Sequence, residues 1–211
     1  MLTREPNAEG KGEVTMLDLL VNALRQRPDR LVVGEIRRQR EAEVLFEAMH
    51  TGHSVYSTIH ADNAGDTVTR LINPPVNIPK SMIDAVAGIV VQFRHRRLGV
   101  RRTLEFAEVL RGGDVNVIAR WDVKTDVIKE INELSTLADT LSLYAGMTRQ
   151  EIASDIAEKT KVLRWMLKNH IMDVDNVGLV VSKYYSNTSE LMELVSSDKP
   201  WTEELGIYTA T

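Results

Sequence analysis

The chain has 211 residues, 43% of them hydrophobic, enough for a real core in one domain with room for a small second one. Its net charge of −4 gives no global bias toward nucleic acid or an anionic membrane, and the absence of cysteine excludes a disulfide scaffold and a cysteine-ligated zinc. No apolar run approaches the ~20 residues that span a bilayer, the first residues lack the order of a signal peptide, and a cytoplasmic protein is expected.

The opening stretch, "LTREPNAEGKGE", is polar, rich in turn formers and reads as a loop. Thr15–Gln26 is predicted helical, with Thr15 and Asp18 spaced as a capping box, Met16, Leu17, Leu20 and Leu24 at helical intervals, and Pro28 as the stop. Leu31–Glu35 has no polar alternation and reads as a strand buried on both faces, as parallel sheets require. Gln39–Thr51 is a second predicted helix, with Val44, Leu45, Ala48 and Met49 inward and Gly52 ending it. Ser54–Ile59 is a second strand, so the order is that of a βαβ unit. A helix over Ala64–Leu71 follows, then another started by Pro79 and ending near Gly88.

Beyond that point the pattern changes. Ile89–Phe93, Thr103–Leu110 and Val115–Trp121 read as strands, with "RGGD" at residues 111–114 as a hairpin turn. After Trp121 the chain reads as helical. Thr148 and Glu151 form a second capping box ahead of Ile152, Ile156, Leu163 and Leu167. Asp173 or Asp175 caps a helix carrying Val177, Val180, Val181 and Tyr184, and a last helix starts near Asn187 or Ser189. A boundary is expected at Asp122–Asp126, and Trp121 and Trp165 are assigned to cores.

The chemistry concentrates between Arg30 and His60. Two apolar runs end on reactive side chains, the first on Glu35 and the second on Thr58 and His60. In doubly wound sheets ligands bind at the C-terminal strand ends. A strand-end carboxylate there is how NTPases hold a general base or a magnesium-bound water near the γ-phosphate. Pattern alone leaves a solvated loop glutamate as an equal alternative.

The longer strings say more. "LRQRPDRLVVGEIR" (24–37) resembles the Walker B region of the secretion ATPase superfamily, with Gly34-Glu35 where other NTPases have Asp-Glu. "AMHTGHSVYSTIHADNAGDTVTRL" (48–71) resembles that family's His box, with Thr51-Gly52-His53, Ser57-Thr58, His60 and Arg70-Leu71 in place. "GEVTMLDLL" (12–20) and "EKTKVLRWMLKNHI" (158–171) resemble archaeal members. These are the hexameric motors of type II secretion, type IV pili, type IV secretion and the archaeal flagellum.

The resemblance implies an α/β fold: part of a RecA-like P-loop NTPase core with a parallel three-layer sheet over 1–122, a β-hairpin extension, and a helical C-terminal subdomain over 123–211. It implies ATP and Mg2+ as cofactors, the metal reached through water near Glu35. It further implies a homo-hexamer, an inner-membrane platform protein as partner, peripheral attachment to the cytoplasmic membrane, and no sequence-specific nucleic-acid binding. Glu35 would activate water. His60 would approach the γ-phosphate, with a purely structural hydrogen bond as alternative. Gly34, Ser57, Thr58, His53, Arg25, Arg37 and Arg70 would sense phosphate or act between subunits. His53 is equally suited to complementing a helix dipole, and each arginine to an internal salt bridge. A metal held by His50, His53 and His60 is weighed against these.

One part of the family pattern is missing. No G-x-x-x-x-G-K-[ST] string occurs. The nearest candidate, Gly10-Lys11-Gly12, has Glu5 where the first glycine belongs. The acidic box is also missing. The chain is therefore expected to be the C-terminal part of such a motor, inactive alone. The alternative is a non-catalytic module docking a membrane-platform or filament-assembly protein. "RHRRLGVRR" (94–102) reads as a basic loop between strands, either solvated or meeting the membrane platform or an acidic partner surface.

Overall fold

The computed structural model describes residues 2–198. It divides into two compact units, the first ending at Thr140 and the second beginning at Leu141. Residues 199–211, expected within the helical region, lie outside the described part.

In the first unit, residues 4–14 form a small hairpin closed by Arg4 and Val14. Helix α1 (Met16–Arg25) starts on the expected capping box: the Thr15 hydroxyl accepts from the Asp18 amide, and the Asp18 carboxylate accepts from the Thr15 amide at 2.9 Å. Strand β1 (Arg30–Val33) leads to α2 (Gln39–His50), and β2 (Ser54–Ser57) pairs parallel to β1 with Arg30 opposite Ser54 and Val33 opposite Ser57. Gly52, at φ +93°, makes the turn between α2 and β2 in a conformation that suits glycine.

Helix α3 (Ala64–Ile72) is capped by Asn63. The helix expected from Pro79 is a 3₁₀ turn, Lys80–Ala85. An antiparallel meander follows in the order β3 (Gly88–His95), β4 (Val100–Val109), β5 (Val115–Asp122) and β6 (Val127–Glu130). Strand β6 corrects the reading of the chain as helical directly after Trp121. Its four residues are all exposed, so they carry no buried-strand pattern.

The sequence reading of β1 as buried on both faces is also corrected. Leu31 and Val33 are buried, but Val32 is 81% exposed, as is 57% of Tyr56 on β2. Helices cover one face of this two-stranded sheet. On the covered side, Val33, Leu45, Phe46, Val68 and Ile83 share one core with Ile89, Val91, Ala107 and Val109 of the meander. Ala42 and Phe46, not foreseen as inward, belong to it. The edges of β2 and β3 are not hydrogen-bonded to each other. Between them lies a cleft of about 400 Å³ walled by Val55, Ser57, Ile59, Gly88 and Val90 among others.

Helix α4 (Thr136–Ala145) spans the division between units. Glu108 of β4, fully buried, accepts from the Ser135 and Leu137 amides and so supplies a carboxylate to the start of α4.

The second unit packs α5 (Arg149–Lys168), α6 (Val174–Ser186) and α7 (Thr188–Ser197) around Val162, Trp165, Met166, Ile171, Val180 and Leu191. Thr148 with Glu151, Asp173 and Asn187 cap the three helices. The inward face of α5 differs from the one expected. Ile156, Leu163 and Leu167 are exposed, because the other helices cover the face bearing Val162, Trp165 and Met166.

Candidate functional site

Glu35 follows β1 directly, and Thr58 to His60 follow β2. Because the strands are parallel and in register, both segments emerge at the same sheet end. The Ile36 amide bonds the Thr58 carbonyl at 2.9 Å, and the Thr58 hydroxyl donates to the Gly34 carbonyl. These bonds continue the strand pairing past the regular sheet and fix the two segments relative to each other.

The side chains then converge. Glu35 Oε2 accepts from Arg37 Nε at 2.7 Å and Nη2 at 2.6 Å, while Glu35 Oε1 lies 3.3 Å from His60 Nε2. The Arg37 and His60 side chains are largely in solvent; that of Glu35 is only 21% exposed. The guanidinium of Arg37 holds the Glu35 carboxyl below its ordinary range, with the charge of His60 adding to the effect. In this arrangement Glu35 is an ionised hydrogen-bond acceptor. Arg70 of α3 joins Glu35, Arg37 and His60 around a depression of about 340 Å³, floored by Ile36, Ile59, Pro74 and Val76.

Other expected residues lie elsewhere. Ser57 lines the 400 Å³ cleft, its hydroxyl buried with no hydrogen-bond partner among the described residues. His53 sits at the opposite end of β2, its Nδ1 3.3 Å from the Thr51 hydroxyl. Arg25, the last residue of α1, is exposed where the chain turns toward the start of β1, also away from Glu35. His50 Nδ1 is bonded to the Phe46 carbonyl. Among the described residues no group of three or more His, Asp or Glu is placed to hold a metal ion. Lys11 pairs with Glu9 in the N-terminal hairpin.

Sequence reasoning passed over Glu105. This buried carboxylate on β4 accepts from the Ala64 amide at 3.0 Å and from Arg120 Nε at 3.0 Å. It anchors the first turn of α3, and with it the loop from His60 to Asn63. Two glutamates, Glu105 and Glu108, among the apolar residues of "LEFAEV" were the available signal.

Residues 3–117, more than half of the chain, match the family model described as type II/IV secretion system protein. An uncharacterized protein of Methanocaldococcus jannaschii is 36% identical over 164 residues, covering 74% of this chain and 60% of the relative. The type IV pilus assembly ATPase PilB of Acinetobacter baylyi is 46% identical over 92 residues, 44% of this chain and 16% of that protein. The type II secretion system protein HxcR of Pseudomonas aeruginosa is 36% identical over 86 residues, 41% of this chain and 18% of its own length. The chain thus spans less than two thirds of each of these relatives.

Proposed function

The chain belongs to the type II/IV secretion system protein family, and on that premise we propose that it carries the hydrolytic part of the nucleotide site of a secretion or pilus-assembly ATPase. The observation that carries this reading is the Glu35 carboxylate at a strand end, 3.3 Å from His60 Nε2 and bonded to Arg37.

The residues suit the end of a polyphosphate. Arg37, Arg70 and His60 offer donors to phosphate oxygens, and Glu35 offers an acceptor to a water. A single carboxylate fits Mg2+, which keeps several waters and is commonly held by phosphates plus one or two protein carboxylates. When bound, ATP with Mg2+ supplies the reacting phosphoryl group and neutralises its charge.

Glu35 orients the attacking water and takes its proton. Phosphate oxygens compete with Glu35 for the exposed Arg37 guanidinium. As Arg37 transfers to phosphate, Oε2 is freed and the basicity of the carboxylate recovers. His60 reports the phosphate to its surroundings, and the Thr58–Gly34 bond makes the two strand ends move together. On the same reading, the cleft between β2 and β3 receives the strand preceding the phosphate loop in a RecA-like sheet, joining both sheets of the first unit. The intact protein works as a hexamer against a membrane-platform protein at the cytoplasmic membrane, driving secretion or assembly of pilus-like or archaeal flagellar filaments.

The test compares ATP turnover by this chain alone with turnover when it is joined to the preceding part of a family ATPase bearing a Gly-Lys-[ST] loop. Turnover only in the joined protein is expected. Magnesium-dependent turnover by the chain alone, abolished by Glu35→Gln, would overturn the incomplete-site reading. Turnover in the joined protein that ignores Glu35→Gln would overturn the role of Glu35.

A further inference from the structure

The tip of the β3–β4 hairpin carries arginines that no ion pair among the described residues balances. Residues 94–102 hold five arginines and no acid, in a chain whose net charge is −4. The tip is a formed turn: Gly99 has φ +67° and its amide bonds the Arg96 carbonyl, while the Leu98 amide donates to His95 Nδ1 at 3.1 Å. It is anchored on the opposite face by Phe93, His95 and Trp121, whose rings pack edge-to-face or tilted.

Arg102 is committed to that anchor. It forms a bidentate pair with Asp126, which also accepts from the Trp121 indole. Asp122, the other carboxylate at this end of the sheet, is held by Lys129. Arg94, Arg96, Arg97 and Arg101 remain exposed, with no ion pair among the described residues. Arg94 and Arg101 are direct cross-strand partners. Like charges directly opposite each other in a sheet are destabilising. A fold that holds them there without a counterion gains stability from an external anionic surface. Leu98, 55% exposed at the apex between these arginines, adds an apolar residue that an acyl boundary accepts.

We infer that the hairpin tip, Arg94 to Arg101, docks on an anionic lipid surface, with the arginines on headgroups and Leu98 inserted. A polybasic segment held this way is attracted to acidic lipid within a Debye length. The inference stands on the hairpin alone and does not depend on the role proposed for Glu35.

The test is co-sedimentation of the intact chain with phosphatidylcholine vesicles, with and without phosphatidylglycerol, at several salt concentrations. Binding only to the anionic vesicles, weakened by salt, is expected. Arg96→Gln with Arg97→Gln should weaken it by about fivefold per arginine. Leu98→Ser should weaken vesicle binding while leaving attraction to soluble polyglutamate unchanged. Thermal unfolding of each variant confirms that the fold is kept. Vesicle binding untouched by the arginine substitutions would overturn the inference. So would binding to polyglutamate or an oligonucleotide that matches or exceeds binding to vesicles and ignores Leu98, since the surface would then serve a soluble polyanion. No binding to anionic vesicles at low salt would overturn it as well.

Discussion

Replacing Glu108 by alanine removes a carboxylate that is fully buried and fully engaged. Its Oε1 accepts from Ser135 N at 2.8 Å and Asn116 Nδ2 at 2.7 Å, and its Oε2 from Leu137 N at 2.9 Å. Asn116 keeps a second acceptor, the Glu133 carbonyl at 3.0 Å. The two backbone amides at the start of α4 lose theirs. Both bonds are only part-buried and Ser135 is exposed, so water can reach a freed amide, and the loss of the charged acceptor is about 1.5–3 kcal/mol. That is a large share of the roughly 5–15 kcal/mol by which domains are stable. Glu108→Gln retains one acceptor oxygen and should lose about half as much. Urea unfolding followed by circular dichroism gives the global loss, and hydrogen exchange at Ser135 and Leu137 locates it. An alanine variant with an unchanged midpoint and unchanged exchange at those two amides would refute the reasoning.

Three further outcomes are expected. Asp126 is held down to about 2 from 3.8, first by Arg102 and then by Trp121. Its stabilising contribution is therefore complete above the unfolded value and disappears as pH falls through the folded one. The indole proton of Trp121, followed by NMR, should move with a midpoint near 2, and a midpoint near 3.8 would dissolve the claimed link. The edges of β2 and β3 left unpaired among the described residues, with Val32 and Tyr56 exposed on the two-stranded sheet, should make the chain self-associate. Light scattering that finds a monomer at high concentration counts against this. In an ATPase completed with its phosphate loop, Arg37→Ala should shift the acid limb of kcat/KM, which reports the free enzyme, to higher pH, because the group that depresses Glu35 before ATP binds is gone. An unmoved limb would mean that Arg37 does not control the basicity of Glu35.

Where local chemistry decides structure, the sequence was readable. The capping boxes at Thr15 and Thr148 are side-chain grammar confined to four residues, and both formed as spaced. Parallel pairing placed Glu35 and His60 together because two apolar runs joined by one helix have few alternatives. Facing was less readable. Val32 and Leu163 are as apolar as their buried neighbours, and only the presence or absence of another layer decides their exposure. Strand β6 pairs with β5 through its backbone while burying no side chain, so hydrophobic pattern had nothing to report. Arg37 folding back onto Glu35, and Glu105 reaching the first turn of α3, are contacts between side chains whose meeting depends on the assembled fold.

The role proposed for Glu35 is on water and not on nucleotide affinity. It is tested most directly by Glu35→Gln in the intact ATPase carrying this chain, with ATP affinity and single-turnover hydrolysis measured side by side. ATP should be retained with little change in affinity while hydrolysis falls about 10²–10⁴-fold, as when a positioned acid–base group is lost. Collapse of ATP affinity with normal turnover of each bound nucleotide would contradict it.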